Sequence, residues 1–140
     1  MRTDFIHDWV AALRSGDFHQ GQQQLRMAFR VPSGDHVAHC CLGVACEIGI
    51  RYGVVQRLGD AYIAIGEAAD IDGDVADYNS ATLPMGFWQW IGLEGSDPRV
   101  TGLGSLSMLN DDGGMDFHDI ANLIEDSWLA PQLTKEMADA

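Results

Sequence analysis

Near the start of the chain, apolar residues recur every three or four positions, at Phe5, Ile6, Trp9, Val10 and Leu13, with polar residues between them. That spacing predicts an amphipathic helix with one face turned to a core. Thr3 or Asp4 is placed to cap it, and Ser15-Gly16 to end it, since glycine takes the left-handed backbone that closes a helix. The period then changes. In SGDFHQGQQQLRMAFRVPSGDH (residues 15–36), Gly and Pro-Ser-Gly punctuation around LRMAFRV predicts a turn, one strand and a hairpin loop. VAHCCLGVACEIGIRYG (37–53) predicts a short strand entering a helix from about Cys41 to Tyr52. Cys41, Val44, Ala45 and Ile48 share one face of that helix, but Leu42 and Cys46 are apolar too. A helix apolar on most sides belongs inside a domain.

Residues 54–66, VVQRLGDAYIAIG, predict two short strands around Gly59-Asp60, and EAADIDGDVADYNSA (67–81) a loop rich in Asp and Gly. Pro84 suits the first position of a short helix, PMGFWQWIG, with Phe87, Trp88 and Ile91 inward. GSLSMLNDDGG (104–114) predicts one or two helical turns started by Ser105 and stopped at Asn110-Asp111-Asp112-Gly113. In the last helix Asp116 is the cap and Asp119 lies in the first turn, favourable at the positive end of the helix dipole. Phe117, Ile120, Ala121, Ile124 and Trp128 form its stripe, and Pro131 stops it. Four helical pieces and two or three short strands give an α+β domain dominated by helix, with a small antiparallel sheet or hairpins. One globular domain is expected over 1–130, with 131–140 a frayed tail.

Composition agrees with a single core: 140 residues, 46% apolar, with four tryptophans. No apolar run approaches the roughly 20 residues that span a bilayer. The N-terminal MRTDFIHDW lacks the basic-then-apolar order of a signal peptide, so a cytosolic location with reduced thiols is expected. Charge changes the picture more. The formal net charge is −13, and it is unevenly spread. Residues 1–57 hold six Arg against five acids, whereas residues 58–140 hold Arg99 and Lys135 against sixteen acids. Such a field disfavours direct nucleic-acid binding and suits a basic protein partner, a cation, or simple solubility.

Candidate chemistry centres on HCCLGVACEIG. A thiol at a helix N-terminus has its thiolate favoured by the helix dipole, which is how many cysteine nucleophiles are activated. Cys40 or Cys41 occupies that place, and His39 or His36 is a candidate base. Against this, adjacent side chains point apart, so His39 does not easily reach Cys40. The one histidine after Cys46 is His118, at the second position of the last helix. Buried core cysteines are the competing reading. Cys-Cys followed five residues later by Cys is not a zinc knuckle, so no metal site is assigned and no cofactor is implied. Asp70, Asp72, Asp74 and Asp77 imitate the start of a calcium loop, but the sixth and twelfth places hold Val75 and Ala81 where Gly and Glu are needed. These acids are better assigned to a surface for a partner. Asn110 and Asp111 fit either a turn or a pocket shared with the cysteine helix, and Ser15 and Gln20 form a similar polar group after the first helix. Ser15, Gln20, Cys41, Asn110 and Asp111 are therefore the candidate binding residues.

Several motifs occur together: W-x-x-A-L-R-S-G-x-F-x-Q (Trp9 to Gln20), C-C-L-G-V (Cys40 to Val44), and Leu83-Pro84 before Trp88 and Trp90. L-x-x-L-N-D (Leu106 to Asp111) and F-x-x-I-A-x-x-I-E (Phe117 to Glu125) complete the set. Over roughly residues 9–125 this combination resembles a widespread group of small proteins encoded by tailed bacteriophages and prophages. The resemblance implies a phage-encoded accessory protein in the cytoplasm of a bacterial host. By analogy with other small phage proteins, it implies one that occupies a host target, as an inhibitor, anti-defence or host-takeover factor. A host protein with a basic surface is the expected partner. A signalling nucleotide is a variant that would depend on Arg14, Arg26, Arg30, Arg51 and Arg57. The rivals are a cysteine-dependent hydrolase or transferase using Cys40 or Cys41, and a virion component.

Overall fold

The first stripe does form a helix, α1 (Thr3–Ser15), and Phe5, Ile6, Trp9, Val10 and Leu13 are all buried on it. The computed structural model describes residues 1–32, 34–68, 81–100, 103–112 and 114–131. The expected cap is displaced by one or two residues. Arg2 is the cap residue and gives no side-chain cap bond, while Thr3 and Asp4 lie inside the helix. The start of α1 is held instead by distant contacts. The Arg2 amide donates to the Ile91 carbonyl at 2.7 Å, Arg2 Nε donates to the Trp90 carbonyl at 3.0 Å, and the guanidinium lies 4.2 Å from the Trp90 ring centroid. At the other end Gly16 takes φ 80°, the left-handed closure its sequence position predicts.

Three strands follow: β1 (His19–Gln20), β2 (Arg26–Val31) and β3 (Gly34–His39). Their order is β1-β3-β2, with β2 and β3 an antiparallel hairpin running from Arg26↔His39 to Val31↔Gly34. The two-residue β1 pairs in parallel with β3, as His19↔Ala38 and Gln20↔His39. The chain then enters α2 (Cys41–Arg51), whose residues 41–46, 48 and 49 are buried. Next come the hairpin β4 (Val55–Leu58) and β5 (Ala61–Ala64), turned at Gly59 with φ 63°. The acids Asp70, Asp72, Asp74 and Asp77 lie outside the described residues.

Pro84 sits one place before its expected position, as the cap residue of α3 (Met85–Ile91). Phe87 and Ile91 point inward as the pattern predicts. Trp88, however, is half-buried, and Trp90 takes the inner place. A small pair, β6 (Arg99–Val100) and β7 (Gly104–Ser105), precedes α4 (Leu106–Asp111), where Ser105 Oγ accepts the Met108 amide. The last helix, α5 (Phe117–Ile124), is capped by Asp116, which accepts the Asp119 amide at 2.9 Å. It does not run on as α-helix. Residues Glu125–Leu129 form a π-helical turn, in which the Ala130 amide donates to the Glu125 carbonyl. The wider turn brings Leu129 to the core face and leaves Trp128 half-buried, 6.1 Å from the Trp9 ring.

The result is an α+β fold in which helices dominate small sheets. α1 lies between α2 on one side and α5 with the π-turn on the other, while α2 packs against α4, β3 and β4. Phe5 is the aromatic centre, with Tyr52, Phe87 and Trp90 ring centroids 5.4, 5.5 and 5.7 Å away. Among the described residues, no helix is long and apolar enough to cross a membrane. The closest backbone approach in the core is at Gly43 on α2. A Cβ there would stand 1.8 Å from the Leu25 carbonyl oxygen and 2.6 Å from its carbon.

Backbone cannot step aside as a flexible side chain can. Gly43→Ala is therefore expected to lower the free energy of unfolding by about 3 kcal/mol or more, at the upper end of overpacking costs. Urea titration followed by tryptophan fluorescence checks this, and a change of a few tenths would show that α2 and Leu25 are not held so closely.

Candidate functional site

The site begins where β3 hands the chain to α2. Cys40 is the helix cap residue and Cys41 the first helical residue, so both thiols stand at the positive end of α2, as the sequence predicts. Burial decides their chemistry. Cys40 is 2% exposed, and Cys41 and Cys46 are fully buried. Loss of water pushes the Cys40 thiol up to about 11, although the Gly43 and Leu42 amides at the helix head pull it down. Cys41 and Cys46 are raised for the same reason, desolvation, which far outweighs the helix head. Cys41 Sγ is a donor, 3.6 Å from the Leu106 carbonyl. These are protonated, packed thiols rather than poised nucleophiles.

Neither proposed base is placed to change that. Strand alternation puts His36 and His39 on opposite faces of β3, and His118 is exposed on α5. His39 is 6% exposed and edge-on to Phe18 at 5.3 Å, with no hydrogen-bond partner on either ring nitrogen. Its pKa is lowered by desolvation. Glu47 on α2 opposes that shift, while Arg26 on β2 and Arg57 on β4 reinforce it. Glu47 is itself engaged, accepting from the Tyr62 hydroxyl at 2.8 Å and pairing with Arg57 at 3.3 Å. Among the described residues no group of three His, Cys, Asp or Glu side chains could hold a metal ion.

Four of the five candidate binding residues do come together, around Asn110. This side chain is 1% exposed. Its Oδ1 accepts from the Cys41 amide at 3.2 Å and from Gln20 Nε2 at 3.0 Å. Its Nδ2 donates to the Gly21 carbonyl at 2.8 Å and to Asp111 Oδ1 at 2.9 Å. All four of its hydrogen-bonding positions are filled. Asp111 Oδ1 also accepts the Gln23 amide at 2.9 Å, and Gln20 Nε2 reaches the Met115 carbonyl at 2.8 Å. The network ties β1, the 21–23 loop, the head of α2 and α4 to one another. No polar group in it is left turned toward a ligand. Ser15 does not join: its hydroxyl donates to the Ala12 carbonyl and accepts the Asp17 amide, a local lock on the end of α1.

The arginines on which a phosphate ligand would depend are dispersed over α1, β2, α2 and β4. Arg14 is paired with Glu125 at 2.9 Å and holds its carboxyl below the usual range. Arg26 is paired with Asp60 and Arg57 with Glu47. The acidic half behaves differently. Residues 81–131 carry eight acids against Arg99 as the lone Arg or Lys. Within them lies an open groove of about 800 Å³ between the end of α3, the β6–β7 pair and the π-turn, lined by residues that include Leu93, Glu94, Arg99, Leu103 and Trp128. The sequence gives no signal for this groove, because it depends on the π-turn and on a loop between two-residue strands.

Residues 1–128 match the model of a family described as Domain of unknown function (DUF8296). Neither a curated protein nor a solved structure matches the chain.

His39 generates a pH test. Its folded pKa lies below the unfolded value of 6.5, so the unfolded chain binds the extra proton first as pH falls. Its contribution is complete above about pH 6.5 and is lost as pH drops toward the folded pKa. Urea midpoints measured from pH 7.5 to 5 should fall more steeply for the native chain than for His39→Leu. Parallel curves would show that His39 is not held neutral by burial.

Proposed function

The chain belongs to this family of unknown function, and we propose that it acts by binding, with its acidic C-terminal half engaging a basic protein surface. The observation that carries this reading is the unbalanced acidic half: eight acids against Arg99 across residues 81–131. Asp112, Asp116, Asp119 and Asp126 are exposed there, on or beside α4, α5 and the π-turn. Carboxylates so arranged raise the encounter rate with a cationic partner and penalise an anionic one.

The cysteine-dependent alternative loses its physical basis with the thiols buried and protonated, since the thiolate is the nucleophile. A nucleotide ligand is disfavoured by the pairing of Arg14, Arg26 and Arg57 with carboxylates. The resemblance to small phage and prophage proteins supplies the setting: an accessory factor in a bacterial host cytoplasm that inhibits or commandeers a host protein.

Capture from a bacterial lysate should retain a basic protein at low salt and lose it as the Debye length falls below about 8 Å. Asp112→Lys with Asp126→Lys should weaken that capture, and recovery of no salt-sensitive partner would remove the reading's support. Iodoacetamide separates the enzymatic alternative. All three cysteines should resist labelling in the native protein and react after denaturation, whereas rapid native labelling of Cys40 would reopen it.

A further inference from the structure

We infer that the groove between α3, the β6–β7 pair and the π-turn is the docking site for a basic amphipathic helix carrying a large apolar anchor. This inference rests on the acidic-surface reading and gives it a place and a shape. Exposed apolar side chains concentrate here. Leu103 is 51% exposed and Met1 48%, both in the groove lining, and Met108, 44% exposed, packs over Gly104 at its edge. Trp128 offers a half-buried indole beside them. Such a group of exposed large apolar residues marks a contact surface more often than chance solvent exposure does.

The rim fixes the charge of the occupant. Glu94 lines the groove, and Asp126 precedes Ser127 on the π-turn wall. Asp111 and Asp112 close the helix that carries Met108. Against them stands Arg99 alone. An occupant with Lys and Arg flanking an apolar face satisfies both the floor and the rim, as in helix-in-groove recognition. The remaining donors suit the end of a helix. Neither the Arg99 guanidinium nor the Trp128 indole N–H has a hydrogen-bond partner among the described residues. The carbonyls left open at a helix C-terminus want such donors, and a cation there is favoured by the dipole.

The test uses the full chain and a designed peptide of about 16 residues, long enough to form helix on binding, with Leu on one face and Lys on the other. Its partner probe replaces every Lys with Glu. Titration into isotope-labelled protein at low salt should shift Val100, Leu103, Gly104, Ser127 and Trp128 with the Lys peptide and not with the Glu peptide. Leu103→Asp and Glu94→Lys, both at exposed side chains, should each weaken the Lys peptide by about tenfold, the scale of a moderate interface anchor. Equal affinity for Leu103→Asp, or equal binding of the Glu peptide, would overturn the inference. Shifts confined to Asp112, Asp116 and Asp119 with both variants silent would leave the acidic-surface reading standing and the groove refuted. Matching shifts on removal of residues 132–140, without peptide, would assign the groove to the chain's own C-terminus instead. Shifts at Arg99 and Trp128 with GTP and none with peptide would overturn it in favour of a nucleotide.

Discussion

A helix buried on nearly every side leaves its first amides with nowhere to go but protein, and the head of α2 is in that position. Asn110 answers it. One amide side chain accepts the Cys41 N–H and in the same plane gathers Gln20, Gly21 and Asp111. Because the site is dry, each of those bonds counts for more than it would at the surface, and each unmade one would cost about 1–3 kcal/mol. The Gly43 contact with the Leu25 carbonyl depends on the same placement, since the loop that Asn110 grips leads directly into Leu25. The packing of α1 follows, with Trp9 Nε1 donating to the Cys41 carbonyl at 3.0 Å. A polar hub thus sets the register of an apolar core, and the cysteines beside it are filler of the right size rather than reagents.

The two halves of the molecule treat charge in opposite ways. In the N-terminal part, arginines are used up in pairs: Arg14 with Glu125, Arg26 with Asp60, Arg57 with Glu47. Exposed pairs of this kind add little stability, about 0–1 kcal/mol each, but they remove positive charge from the surface. The C-terminal part has almost no cations to do the same for its acids. Mutual repulsion among those carboxylates is a standing cost to the fold that a cationic partner would relieve. The acidity is then a property of the free state, and binding is where it is neutralised.

Much of the fold was legible in the sequence because it is local. The stripes of α1 and α5, the Ser105 and Asp116 caps, the Gly16 closure and the Gly59 turn each depend on residues within a few positions of one another. What escaped depends on distant residues. The start of α1 is fixed by Ile91 and Trp90, almost ninety residues away, so Thr3 and Asp4 are not needed as caps. Two-residue β1 carries no periodicity at all and exists only because β3 offers an edge. Asn110 could be named as turn or pocket from its neighbours, yet its actual partners lie 69 and 90 residues away. The thiols were misleading for the same reason. Position at a helix head can be seen in a sequence, but the depth of burial that reverses its effect cannot.

The π-turn at Glu125–Leu129 means that the wall of the groove is set by counting as well as by chemistry. A turn closed by an i→i+5 bond holds one residue more than its α-helical counterpart, so everything after Ile124 is rotated relative to the stripe that precedes it. Deleting a single residue there could restore an ordinary α-turn with every core contact of Phe117, Ile120 and Ile124 intact. The side chain presented beside Leu103 would nevertheless change. Length variation at this one place is therefore a route by which related chains can change what they recognise without refolding.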